Sequence, residues 1–116
     1  MVDTRSGDDQ LKQMLADNRC VMFSIQQCGW CDRAEELFGK LGRQCRRIMM
    51  DRPENARMSK SVVQHTQMMT VPNIFIDNMH IGGYDRLLQA QAQCASGKMD
   101  PNDPSQTVCE FLKEAK

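Results

Sequence analysis

Two cysteines separated by two residues, Cys28-Gly29-Trp30-Cys31, carry the spacing in this chain that most directly defines a chemistry. Where a turn or a helix start brings such sulfurs together they close a small disulfide, and the same geometry suits repeated opening and closing by thiol–disulfide exchange. A thiol at a helix N-terminus meets unpaired backbone N–H groups and the positive end of the helix dipole, both of which favour thiolate. Cys28 is therefore expected to be the nucleophile, titrating well below the ordinary thiol value of about 8.5. Cys31, further into the helix, is the expected resolving thiol. Competing readings of the pair are a chance spacing or half of a metal site.

The other four cysteines, Cys20, Cys45, Cys94 and Cys109, stand alone in the sequence, and His65 and His80 are far apart. That pattern argues against a structural zinc site. A disulfide scaffold expects a secreted, loop-rich chain, so the four are read as reduced, small hydrophobic side chains, with Cys20 and Cys109 buried. The ten methionines are read as core filler. Fifteen basic and fifteen acidic side chains cancel, which recommends neither nucleic acid nor an anionic membrane as partner. The polar, acid-containing first twenty residues resemble neither a secretory signal nor a transit peptide, and no apolar run reaches a membrane span. A cytoplasmic monomer is the expectation.

The elements that must position the pair follow from periodicity. Leu11, Met14 and Leu15 recur at helical spacing between Asp8 and Asn18, and Cys20 to Ile25 is a near-continuous apolar run, as in a strand covered on both faces. A helix then starts at or inside the Cys pair, with Ala34, Leu37, Phe38 and Leu41 on one face and Gly42 as its stop. Arg47 to Asp51 reads as a second strand and Pro53-Glu54 as the start of a further helix. Asn73 to Ile76, a turn at Asp77-Asn78 and Met79 to Ile81 read as a hairpin. The next helix is expected over Tyr84 to Ser96, with Leu87, Leu88, Ala92 and Ala95 inward, and a last one over Ser105 to Glu114. A βαβ unit followed by a hairpin and helix predicts an α/β thioredoxin fold, a central four-stranded mixed sheet with helices on both faces. One domain is expected over 1–116, its core about 8–98 and a C-terminal helical tail about 104–115.

Three blocks in this order, Phe23 to Cys31, Thr70-Val71-Pro72-Asn73-Ile74-Phe75-Ile76 and Ile81-Gly82-Gly83-Tyr84-Asp85, resemble those of a glutaredoxin. The resemblance spans about Leu11 to Lys98. It implies a dithiol oxidoreductase that reduces protein disulfides and glutathione mixed disulfides, with glutathione or a related low-molecular-weight thiol as co-substrate and disulfide-containing or glutathionylated proteins as partners. It further implies a cis peptide bond at Pro72 and glutathione contacts at Gln27, Trp30, Val71, Pro72, Gly83, Tyr84 and Asp85. Asp85 would pair with the ligand's α-amino group while helix-end N–H groups receive its α-carboxylate.

The chain departs from the family pattern at several positions. Ile25 and Met69 stand where basic or amide residues usually meet the glycyl carboxylate, and Gln26, Gln27, Arg43, Arg46 and Arg47 are the substitutes to consider. Gly29-Trp30 replaces the common Pro-Tyr. A small residue there resembles glutaredoxins that share a two-iron two-sulfur cluster between two subunits, each iron held by the first cysteine and a glutathione thiol. Cluster carriage through Cys28 in a dimer is thus one alternative function. Another is a thioredoxin-like reductase recharged by a flavoprotein, although Gln27 occupies the place where thioredoxins carry Trp.

Overall fold

A computed structural model of the chain describes residues 3–97 and 104–113. The elements run α1 (Gly7–Asp17), β1 (Cys20–Ser24), α2 (Gly29–Lys40), β2 (Arg46–Met49), a 3-10 turn at Pro53–Asn55 leading into α3 (Ala56–Thr66), β3 (Asn73–Ile76), β4 (Met79–Gly82), α4 (Tyr84–Ser96) and α5 (Pro104–Lys113). The strands form one mixed sheet in the order β2-β1-β3-β4, with β1 parallel to β2 and antiparallel to β3. This is the expected thioredoxin fold. The turn- and linker-like residues 99–103 lie outside the described residues.

All of β1 is buried, as its unbroken apolar run requires of a central strand covered on both faces. Alternation along it separates two cores. Met22 points with Cys28, Cys31, Ala34 and Phe38 of α2, Leu87 and Ala90 of α4, and Val108 and Phe111 of α5. Val21 and Phe23 point with Leu11, Met58 and Val62 from α1 and α3. The Cys pair thus belongs to the α2–α4–α5 layer. Ser6 caps α1 by accepting from the Asp9 N–H at 3.1 Å, and Asp8 joins α1 to α3 through Ser61 and His65. The hairpin turns at Asp77-Asn78, both with positive φ as a tight two-residue hairpin demands. Asp77 is held by a two-pronged pairing with Arg19 at 2.8 Å, which also keeps its carboxyl below the usual range.

Three expectations need correction. The inward face of α4 is Leu87 and Ala90, with Leu88, Ala92 and Ala95 turned outward. Its apolar residues fit more than one helical stripe, and α5 selects the one that runs through Leu87, Ala90 and Cys94. The second strand starts one residue earlier than expected and ends before Met50, where the chain turns toward the Pro53 segment. The cysteines read as separate thiols are paired: Cys20 with Cys45, and Cys94 with Cys109. Parallel alignment of Val21 opposite Arg46 sets the preceding residues, Cys20 and Cys45, side by side with Cα atoms 4.6 Å apart. Packing of α5 on α4 brings the Cα atoms of Cys94 and Cys109 to 5.3 Å. Both separations suit a disulfide. Cys20 and Cys109 are buried as expected.

Candidate active site

Cys28 stands at the N-cap of α2, between the buried end of β1 and the helix that opens at Gly29. Its Sγ accepts a hydrogen bond from the Cys31 backbone N–H at 3.1 Å and is bonded to the Cys31 sulfur, so the pair is in its oxidised form. A sulfur that accepts from a helix-end N–H is stabilised when it carries charge. Cys28 retains 7% exposure and Cys31 none, which leaves Cys28 as the sulfur open to a partner. Gly29 has open space where a Cβ would stand, so packing does not demand a glycine there.

A cleft of about 390 Å³ adjoins the pair, lined by Trp30, Thr70, Val71, Pro72, Gly83, Tyr84 and Asp85. Val71-Pro72 is a cis peptide bond, and Val71 and Tyr84 pack against the core cluster that holds Cys28 and Cys31. A Cβ added to Gly83 would stand 3.4 Å from an Asp85 carboxylate oxygen and 3.6 Å from the Pro72 carbonyl oxygen, in ordinary contact with both, which places Gly83 between these two parts of the cleft. Gly83 caps α4 without a side-chain hydrogen bond. Trp30 is 57% exposed and forms the rim, its ring 5.7 Å from that of Tyr84. Of the residues expected to meet the ligand, six line this cleft; Gln27 precedes Cys28 in an exposed turn with φ 57° and does not.

None of the three arginines weighed as substitute cations lines the cleft. Arg47 donates to Asp32 at 2.7 Å, Glu35 at 2.9 Å and the Ser24 hydroxyl at 3.1 Å, tying the edge strand to the first turns of α2. Arg43 lies over the Phe111 ring and Arg46 lies across the sheet end remote from Cys28. Arg33 was not singled out from sequence, yet its guanidinium sits 4.8 Å over the Trp30 ring. The i, i+3 spacing of Trp30 and Arg33 on one helix was the available signal.

The cis-Pro segment is held by a polar network. The Asn73 amide donates to the Thr66 hydroxyl at 3.1 Å, and its oxygen accepts from His80 Nε2 at 2.7 Å. Thr66 in turn donates to the Val62 carbonyl and accepts from the Met68 N–H, closing the stretch that leads to Pro72. Burial beside Phe75 pushes the His80 imidazole below its ordinary 6.5. The fold therefore favours neutral His80, a stabilisation complete above about 6.5 and lost as the pH falls through the lowered folded value. An NMR titration should place the His80 midpoint below 6.5; a midpoint at or above it contradicts this network.

A βαβ-hairpin-α sheet with an oxidised CxxC pair at the strand–helix junction and a cis-Pro ahead of β3 defines a thiol–disulfide oxidoreductase of the thioredoxin fold. Residues 20–81 match the sequence family described as Glutaredoxin. Glutaredoxin-C1 of Arabidopsis thaliana is 31% identical over 94 residues, covering 80% of this chain and 73% of that one. Glutaredoxin-C6 of Oryza sativa subsp. japonica is 32% identical over 91 residues, covering 78% and 79%. Among solved structures, a buckwheat glutaredoxin–glutathione complex superposes with a TM-score of 0.72 at 28% identity, covering 94% and 89% of the two chains. Wheat glutaredoxin gives 0.73 at 27%, covering 99% and 98%. The chain belongs to the glutaredoxin family, and it is a glutaredoxin-type enzyme. No helix among the described residues is long and apolar enough to cross a membrane.

Proposed function

We propose that this chain, acting as one unit, is a dithiol glutaredoxin that reduces glutathione mixed disulfides and protein disulfides through a Cys28 thiolate. The observation that carries the reading is the cleft beside Cys28, whose lining joins Trp30, Val71-Pro72 and Gly83-Tyr84-Asp85. Cys28 attacks the glutathione sulfur of a mixed disulfide; the protein thiol leaves, and a Cys28–glutathione disulfide forms. A second glutathione thiolate attacks that bond, releasing oxidised glutathione and the Cys28 thiolate. On a protein disulfide, Cys28 forms a mixed disulfide with the target and Cys31 resolves it, the active-site disulfide being reopened by two thiols. Val71 offers backbone hydrogen bonds to the bound peptide, Asp85 takes its α-amino group, the N-terminus of α4 takes its α-carboxylate, and Trp30 and Tyr84 cover the ligand's apolar stem.

The test is glutathione-dependent reduction of a glutathionylated peptide, followed through glutathione reductase. Turnover supports the reading; a wild-type protein that is inactive with glutathione yet active with a flavoprotein-recharged system overturns it.

The glycyl end of the ligand meets a changed surface. Ile25 is exposed, Met69 is 87% exposed, and no lysine or arginine lines the cleft. The N–H of Gln26, next to Ile25, is already donated to the Asp51 carboxylate at 3.1 Å, which places an acid in that loop. Restoring a cation should therefore strengthen binding. Ile25→Lys is expected to lower KM for the glutathionylated peptide about tenfold with kcat little changed, the lower end of the roughly 1.5–3 kcal/mol a hydrogen bond to a charged group supplies. An unchanged KM would mean the glycyl carboxylate does not lie beside Ile25.

A further inference from the structure

At the end of β1 remote from Cys28 a second cleft, about 990 Å³, opens over the Cys20–Cys45 disulfide. The two sulfur-bearing residues are not equivalent: Cys20 is buried in the strand, while Cys45 is partly exposed in the loop that enters β2. Two arginines, Arg43 and Arg46, flank Cys45 in sequence and line the cleft with it. Of the acids in the lining, Glu35 is engaged by Arg47 and Asp17 by Gln13. Arg46, next to Cys45, is exposed, and the Arg43 guanidinium lies over the Phe111 ring, which also lines the cleft. A reachable disulfide sulfur in cationic surroundings is a target for an anionic thiolate.

We propose that Cys20–Cys45 is a second thiol-exchange site, at which an anionic low-molecular-weight thiol, glutathione being the representative, modifies Cys45. The glutathione thiolate bonds to Cys45 Sγ and the Cys20–Cys45 bond breaks. Its electron pair passes to Cys20 Sγ, which takes a proton from solvent. A second glutathione thiolate then attacks the glutathione sulfur on Cys45, releasing oxidised glutathione and a Cys45 thiolate, so two glutathiones are oxidised as one disulfide is reduced. The fold survives the opening: β2 stays paired with β1 over Val21 to Ser24, and Arg47 still ties it to α2. The Cys94–Cys109 disulfide also joins a buried to a partly exposed cysteine, but neither has an arginine within two residues in sequence, so it serves as the internal comparison.

The exchange is independent of the Cys28 reading and is tested without it, in the Cys28→Ser/Cys31→Ser protein incubated with glutathione at neutral pH, acid-quenched, alkylated and mapped by mass spectrometry. The expected result is a glutathione adduct on Cys45 and a free Cys20 while far-UV circular dichroism is unchanged and Cys94–Cys109 stays closed. Arg46→Glu should slow the opening by glutathione about three- to tenfold, and slow opening by 2-mercaptoethanol, whose thiolate carries no carboxylate, distinctly less. Opening only together with loss of the circular dichroism signal, opening of both disulfides in parallel, adducts on Cys20 instead of Cys45, or equal slowing of both reagents by Arg46→Glu would each overturn the proposal.

Discussion

Cys28→Ser is expected to lower the turnover of a glutathionylated peptide by about three decades or more, while Cys31→Ser keeps it within about tenfold of wild type. A serine hydroxyl at the α2 N-cap can accept the Cys31 N–H as the sulfur does. It cannot form a mixed disulfide, so no covalent intermediate is available and the reaction loses its path. Cys31 is fully buried, so on the proposed route it acts only on a disulfide already formed at Cys28. A mixed disulfide on Cys28 can still be cleared by external glutathione, so the monothiol route survives without it. A protein substrate with an internal disulfide should behave differently, because resolution by Cys31 is then the step that frees the product; there Cys31→Ser should slow reduction sharply. Steady-state assays of the two variants on the two substrate types check both statements. Equal loss in both variants on the glutathionylated peptide would contradict the assignment of Cys28 as sole nucleophile.

The ranking of the two thiols rests on placement that the sequence could supply. The apolar run from Cys20 ends close to Cys28, and a helical face begins at Ala34, so the pair had to fall at a strand–helix junction. The structure adds the sulfur's hydrogen bond and the difference in exposure between Cys28 and Cys31. The cleft residues were legible through the resemblance of the blocks Thr70 to Ile76 and Ile81 to Asp85 to those of glutaredoxins, not through periodicity or turn chemistry. What was not legible depends on partners distant in the chain. Cys20 meets Cys45 only because two strands align in parallel at a register no single strand states, and Cys94 meets Cys109 only once α5 has docked. The rotated face of α4 has the same origin: Leu87 and Leu88 are equally apolar, and the helix laid against them decides which is buried. Likewise Arg47 looks like part of a solvated basic cluster until α2 sets Asp32 and Glu35 beside it.

Helix α5 lies outside the family-matched stretch 20–81, yet its removal from the core should be costly, and Phe111→Ala is the sharpest measure of that. Phe111 is almost fully buried, edge-to-face against Phe38 of α2 with ring centroids 6.1 Å apart, and the Arg43 and Arg19 guanidiniums lie over its ring at 4.2 and 5.2 Å. Truncating a buried Phe costs about 3–5 kcal/mol in transfer and cavity energy, and the lost cation–π contacts add about 0.5–1 kcal/mol. Against the roughly 5–15 kcal/mol typical of a domain, that is a large fraction. The Cys94–Cys109 bond keeps α5 tethered, so the variant is expected to fold, with a urea midpoint well below wild type and an unchanged m-value. Phe38 and Cys31 share α2, and Phe111, Phe38 and Cys31 share one core cluster. The cavity would therefore open beneath the helix that carries the redox pair. A loss below about 1 kcal/mol would mean that α5 merely covers the core instead of completing it.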